Sequence, residues 1–403
     1  MSEAAFVIIA VGLGVPFYSY IVYPTLLFVL GMVVQAARDA KYLIKRAERR
    51  NTEKPRPFVS IIMSAFNEED VLESTLEACT NVEYPSGRYE VIVGSDDSFD
   101  NTVDIAKRFE DRGVRVLEFH ERRGKISVIK DCVEEARGDI LVFTDANIRL
   151  EPEAVQNLVR HFVDPEVGAV CGELRLVRTD SGENREGLYW QYEVALKTLE
   201  SRMHGVIGAN GPLYALRKDV FPDVGKEVIT DDFVIPMKVR DQDYKVNYDP
   251  EAVAREETSG SASDEFGRRI RIGAGNWQAL WDCAGLLLPW KGFIAFSFFS
   301  HKVLRWLTPF CMLLSLLANV TVLWHPVGQL VFAGQLLFYA AAGLGYVLQR
   351  WGLPAGPLKL FPYFLTINTA LGIGFAKGVL GLQEPAWRRT ERSAVPAGEK
   401  QGT

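Results

Sequence analysis

Between residue 58 and about residue 274, short apolar runs rich in β-branched residues alternate with segments of helical period. Strands are predicted at 58–65, 89–94, 114–118, 140–144 and 167–176, and helices at 69–79, 101–112, 125–136 and 152–162. This alternation predicts an α/β domain: a mostly parallel sheet with helices on both faces. Outside this region the pattern changes. Residues 4–36 carry no charge, a stretch longer than the roughly 20 residues that a spanning helix needs. A single tilted or overlong transmembrane helix over 1–37 follows, since no basic region precedes the run and it is too long for a cleaved signal. Further spans are expected near 306–324, 327–347 and 360–381, the first two joined by the turn Trp324-His325-Pro326. Residues 279–299 are apolar but broken by Asp282, Pro289 and Lys291, which predicts helices lying in the bilayer interface. The expected layout is a basic linker at 38–57, the α/β domain at 58–274, interface helices at 275–304, about three spans at 305–382, and a basic, partly disordered tail at 383–403.

Charge orients this layout. Arg38, Lys41, Lys45, Arg46, Arg49 and Arg50 follow the first span, so the positive-inside rule places the α/β domain in the cytoplasm, at the inner membrane. Three later spans then put the basic tail Trp387 to Arg392 outside, against the same rule. Either the tail is an exception, or one segment is re-entrant or lies along the surface. The net charge of -6 and the lack of a basic, aromatic-interleaved stripe give no reason to expect nucleic acid. Cys79, Cys132, Cys171, Cys283 and Cys311 show no metal spacing and read as reduced, buried side chains.

Three acidic motifs occur in order: Ser95-Asp96-Asp97-Ser98-Phe99-Asp100, Thr144-Asp145-Ala146-Asn147 and Thr230-Asp231-Asp232. The first two follow predicted buried strands, so their carboxylates stand at strand carboxyl ends, where open α/β sheets bind ligands. The turn Ser64-Ala65-Phe66-Asn67-Glu68-Glu69 joins a strand to a helix and offers backbone N–H groups to an anion or a base edge. Arg123-Gly124-Lys125, Gly208-Ala209-Asn210-Gly211 and Arg268-Arg269-Ile270-Arg271-Ile272-Gly273 complete the set.

Taken in this order, the motifs resemble the family 2 glycosyltransferases with a GT-A (Rossmann-like) fold. More narrowly they are similar to the membrane-integrated branch of cellulose, hyaluronan, chitin and poly-N-acetylglucosamine synthases. The resemblance covers about residues 57–280. It implies an inverting transfer from a nucleotide-sugar donor, UDP-linked in the nearest branch, to a polysaccharide or lipid-linked acceptor, with polysaccharide-export subunits as further partners. Asp96 then holds uracil or ribose, together with Ala65 and Glu68; the plainer reading of Glu68 is a charge favoured at a helix start. Lys125 neutralises the base or diphosphate region. Asp145 and Asn147 hold Mg²⁺ or Mn²⁺, Asn147 replacing the family's second aspartate. Asp232 is the base, Thr230 caps its helix, and Asn210, Gly211, Asp231 and Trp277 face the acceptor. Arg271 matches the arginine of the processive Gln-x-x-Arg-Trp motif and meets the leaving diphosphate. Arg268 and Ile272 replace the glutamine and tryptophan, and Asp97 stands where glycine is usual. These departures keep two alternatives open, single-sugar transfer and a catalytically inactive nucleotide-binding scaffold.

Overall fold

The computed structural model describes residues 2–45, 56–178, 187–203, 205–209, 211–258 and 262–383. They form two compact units, one from 1–46 together with 262–383, the other from 47–261.

The second unit is built on an eight-stranded sheet: β1 (Val59–Ala65), β2 (Tyr89–Asp96), β3 (Val114–Phe119), β4 (Ile140–Phe143), β5 (Ile148–Leu150), β6 (Val167–Arg178), β7 (Tyr214–Arg217) and β8 (Lys245–Thr258). Their order is β3-β2-β1-β4-β7-β6-β8-β5. The β3-β2-β1-β4 half is parallel, as predicted. The other half is mixed. β7 runs antiparallel to both β4 and β6, and β5 antiparallel to β8, while β6 and β8 are parallel. Four of the seven pairings are parallel, so the mostly parallel sheet expected here also takes in antiparallel strands. β5 and β7 have three and four residues, too short to show a period, and β8 carries Asp249, Pro250 and Glu251 at a register shift.

β1 forms because Val59, Ile61, Ile62 and Met63 are buried on both faces, each such side chain stabilising by about 1.5–3 kcal/mol. Gly94 lets the helix Lys125–Glu135 lie close on β2, since a Cβ there would stand 2.2 Å from Val128 Cγ1 and 2.8 Å from Cys132 Sγ. Lys125, at the start of that helix, is thereby fixed near the carboxyl ends of the parallel strands.

Among the described residues, the first unit contains four helices long and apolar enough to cross a membrane: Glu3–Lys41, Phe293–Val320, Pro326–Arg350 and Gly356–Val379. The chain is a membrane protein on this composition. The first helix widens to a π-turn over Tyr18–Val22, directly before Pro24, which lacks an N–H and crowds the preceding carbonyls. One helix runs over Ala262–Asp282, so residues 262–274, expected in the α/β domain, group with the first unit. Its partner is the helix Leu360–Val379. Glycines permit this contact: a Cβ on Gly374 would meet Ile270 O at 1.9 Å, and one on Gly378 would meet Ala274 O at 3.0 Å. Residues 293–304, expected in the interface, are the start of the second span. The basic residues 46–50 and the tail beyond 383 lie outside the described residues.

Candidate active site

The turns after β1 and β2 brace one another. The N–H groups of Asn67, Glu68 and Glu69 donate to Ser98 Oγ at 3.2 Å, Thr102 Oγ1 at 2.8 Å and Asp100 Oδ2 at 3.3 Å. The N–H groups expected to meet a ligand anion or base edge are thus spent inside the protein. What the two turns present instead are side chains, among them the exposed Phe99 edge-to-face with Phe66, whose ring lies under the Arg122 guanidinium at 3.7 Å. Ala65 and Glu68 are buried at this turn. Asp97 has φ 62°, the left-handed region, which accounts for glycine being usual in its place and for aspartate being tolerated there.

Asp96, at the end of β2, is buried, and its carboxylate accepts the N–H of Arg123 at 2.7 Å and of Gly124 at 3.0 Å. Each oxygen retains a second lone pair for a ligand. Structurally, Asp96 holds the loop that delivers Lys125. The Lys125 ammonium then donates to Asp145 Oδ1 at 2.8 Å and meets both oxygens of Asp231 at 3.0 Å. Burial alone would lower its pKa, but the two carboxylates outweigh that and raise it above the usual lysine value. One cation therefore joins the turn after β4 to the first turn of the helix Asp231–Asp241.

Asp232 follows on that helix. Ala209 N–H donates to the Asp232 carbonyl at 3.0 Å, and Gly211 N–H supports the Asp232 carboxylate. Gly208 makes this turn possible: its φ is +78°, and a Cβ would stand 2.3 Å from the Phe233 ring. Asn210 lies outside the described residues. Thr230 occupies the cap position, but the capping bond expected from its hydroxyl is not made; Oγ1 is buried without a hydrogen-bond partner. Burial pushes the Asp232 carboxyl up, Asp231 adds to this, and Lys125 offsets part of it, leaving a pKa of about 6.

A base must be unprotonated, so transfer is expected to rise with pH through a midpoint near 6 and to fall about tenfold per unit well below it. A rate profile measured at saturating donor checks this, and a flat profile between pH 5 and about 7 would remove Asp232 from the base role. The sign for stability is opposite. A carboxyl whose folded pKa lies above its ordinary 3.8 stabilises the fold below 3.8, and that contribution is lost as pH rises through about 6.

The site suits a divalent cation of the hard, oxygen-preferring kind. Asp145 offers a partly exposed carboxylate at a strand end. Asn147 Nδ2 donates to Glu256 Oε1 at 3.2 Å, so its amide oxygen is the atom left for a cation. Among the described residues no group of three or more His, Cys, Asp or Glu is placed to hold a metal ion. The ligands offered are one carboxylate and one amide oxygen, a set that a hard cation completes with phosphate and water.

Two neighbours were not legible as site residues. Glu256 reaches Asn147 because β8 pairs with β5, Ile148 opposite Glu256. Tyr214 opens β7 opposite Phe143, stacks on it at 4.9 Å, and keeps a buried hydroxyl without a hydrogen-bond partner. Burial and the nearby Asp231, Asp232 and Asp145 raise its pKa well above 10.0. Arg271 and Trp277 belong to the other unit, on the helix Ala262–Asp282, where Trp277 packs edge-to-face on Trp281 and Phe375.

The mixed α/β sheet with carboxylates at its strand ends has a GT-A-like fold. Residues 60–225 match the family model for glycosyl transferase family 2. It is 24% identical over 229 residues to a poly-beta-1,6-N-acetyl-D-glucosamine synthase of Staphylococcus epidermidis, covering 55% of each chain. It is 27% identical over 241 residues to a probable glycosyltransferase, YdaM, of Bacillus subtilis, covering 56% of this chain and 57% of the other. The matches thus span about half the length of these relatives. Among solved structures, the mannosyltransferase PcManGT from Pyrobaculum calidifontis, in complex with GDP-Man and Mn²⁺, superposes with a TM-score of 0.69 at 20% identity, over 95% of this chain and 100% of that one. That likeness concerns the fold.

Proposed function

We propose that the protein is an inverting glycosyltransferase of the cytoplasmic membrane that transfers a sugar from a nucleotide-sugar, UDP-linked by preference, to a hydroxyl of a growing polysaccharide. The observation that carries this reading is the meeting of Asp145 and Asp231 on the Lys125 ammonium, with the buried Asp232 carboxylate next in the chain after Asp231 and close enough to feel all three charges. Asp232 takes the proton of the acceptor hydroxyl. The acceptor oxygen attacks the anomeric carbon in line, the bond to the diphosphate oxygen breaks, and its electron pair leaves with the nucleoside diphosphate. Lys125 meets the charge that develops there, and the same role for Arg271, which belongs to the other unit, rests on its motif. Mg²⁺ or Mn²⁺, held by Asp145 and the Asn147 amide oxygen, supplies further charge neutralisation when bound. Attack opposite the leaving group turns an α-linked donor into a β-linked product. The basic residues after the first span support a cytoplasmic catalytic domain. A polymer made there would leave through the membrane unit or through export subunits.

One observation favours transfer of a single sugar instead. Trp277, the tryptophan nearest in sequence to the altered Gln-x-x-Arg-Trp site, has its ring engaged by Trp281 and Phe375. Purified protein given UDP-sugars and oligosaccharide or lipid-linked acceptors decides between the two: a ladder of β-linked products supports a polymer synthase, one added residue supports single transfer, and an α-linked product contradicts inversion.

The role of Arg271 has its own test. Arg271→Lys keeps the charge and loses the bidentate fork, so contact with the diphosphate predicts a large loss of turnover. Arg268→Lys, at a position that departs from the motif, should cost little. Equal, small losses in the two would assign the basic stretch to the bilayer surface.

A further inference from the structure

We propose that Lys125 is a tethered counter-cation that closes the acidic cluster to a divalent ion arriving alone and opens it to one arriving with a diphosphate. This rests on the reading of the site as one for a metal-assisted nucleoside diphosphate.

The geometry assigns Lys125 to both carboxylates at once, 2.8 Å from Asp145 and 3.0 Å from Asp231. Its backbone has little freedom. Asp96 fixes the two preceding N–H groups, and Gly94 seats the helix that follows. The side chain is different: about a third of its surface is exposed, and its four-carbon stem can swing without moving the helix. Asp145, Asp231 and Asp232 together bring three negative charges when ionised, which Lys125 offsets by one. A dication placed on Asp145 would share that carboxylate with the ammonium, and the two cations repel at contact distance. A diphosphate reverses the balance. Its oxygens offer the ammonium new partners, so Lys125 transfers to the phosphates as the metal takes Asp145. Metal and nucleotide then bind cooperatively, each needing the other to displace or accept the same lysine.

The consequence is a pair of effects of opposite sign, which a merely structural lysine would not give. In detergent-solubilised full-length protein, Mn²⁺ binding alone, read by electron paramagnetic resonance, is expected to tighten by about tenfold or more in Lys125→Gln. UDP binding at saturating Mn²⁺, read by calorimetry, is expected to weaken by a similar factor in the same variant. Lys125→Arg, which keeps the charge, should stay near the wild type for Mn²⁺ alone. A thermal midpoint close to the wild type confirms that the glutamine variant is folded. Unchanged or weaker Mn²⁺ binding in folded Lys125→Gln overturns the proposal. If the wild type binds neither UDP nor GDP at saturating Mn²⁺, the nucleotide reading fails and the release step fails with it. The Mn²⁺ measurement still decides whether Lys125 closes the site.

Discussion

Asp232→Asn is expected to abolish transfer while donor affinity stays near that of the wild type. The amide keeps the shape of the side chain and can still accept the Gly211 N–H, but it cannot take a proton. General-base catalysis contributes typically about 10²–10⁴-fold, so turnover should fall by at least that order. Two neighbours make the separation clean. Asp231, not Asp232, carries the ion pair with Lys125, and Asp145 carries the other. Donor binding that depends on Lys125 and Asp145 is therefore left intact. Calorimetric donor affinity and steady-state turnover must diverge; equal losses in both would assign Asp232 to binding.

Chelation is expected to be nearly as severe. Excess EDTA should stop turnover, and Mn²⁺ or Mg²⁺ should restore it, because a diphosphate entering beside Asp145, Asp231 and Asp232 meets three carboxylates and the single compensating charge of Lys125. Removing preorganised charge stabilisation from a transition state costs about 10²–10³-fold. Asn147→Asp sharpens this expectation. It adds a carboxylate that faces Glu256 in place of the present hydrogen bond, so the cation gains a ligand and also relieves a repulsion. Metal affinity should rise in that variant. Full activity in excess chelator would remove the metal from Asp145.

The parallel half of the sheet was readable because its strands are buried on both faces and announce themselves as runs such as Val59 to Met63. The mixed half was not. β7 is only Tyr-Ala-Leu-Arg, and β8 interrupts its apolar residues with Asp249-Pro250-Glu251 at a register shift. The same division runs through the site. Asp145, Lys125, Asp231 and Asp232 belong to motifs with local spacing, and the structure brings them together. Tyr214 and Glu256 join them only through strand pairing, which no local pattern encodes. The capping role expected of Thr230 follows its residue type, but burial of its hydroxyl overrode that preference. In the first unit, the helix Ala262–Asp282 packs Ile270 and Ala274 against Gly374 and Gly378, a long-range contact invisible to hydropathy. Trp277 illustrates the opposite hazard. It stands near a motif in sequence, yet its ring is committed to Trp281 and Phe375.

The central claim, that this site transfers a sugar from a nucleotide donor with Asp232 as the base, is tested most directly by release of nucleoside diphosphate. Purified full-length protein in a membrane mimic would be incubated with Mn²⁺, acceptor extracts and a panel of UDP-, GDP- and dTDP-sugars, beside Asp232→Asn as the reference. One donor class is expected to release its nucleoside diphosphate, with UDP as the nucleotide, and the variant to release at least about a hundredfold less. Release from no donor above the level of Asp232→Asn, or equal release from both proteins, would contradict it.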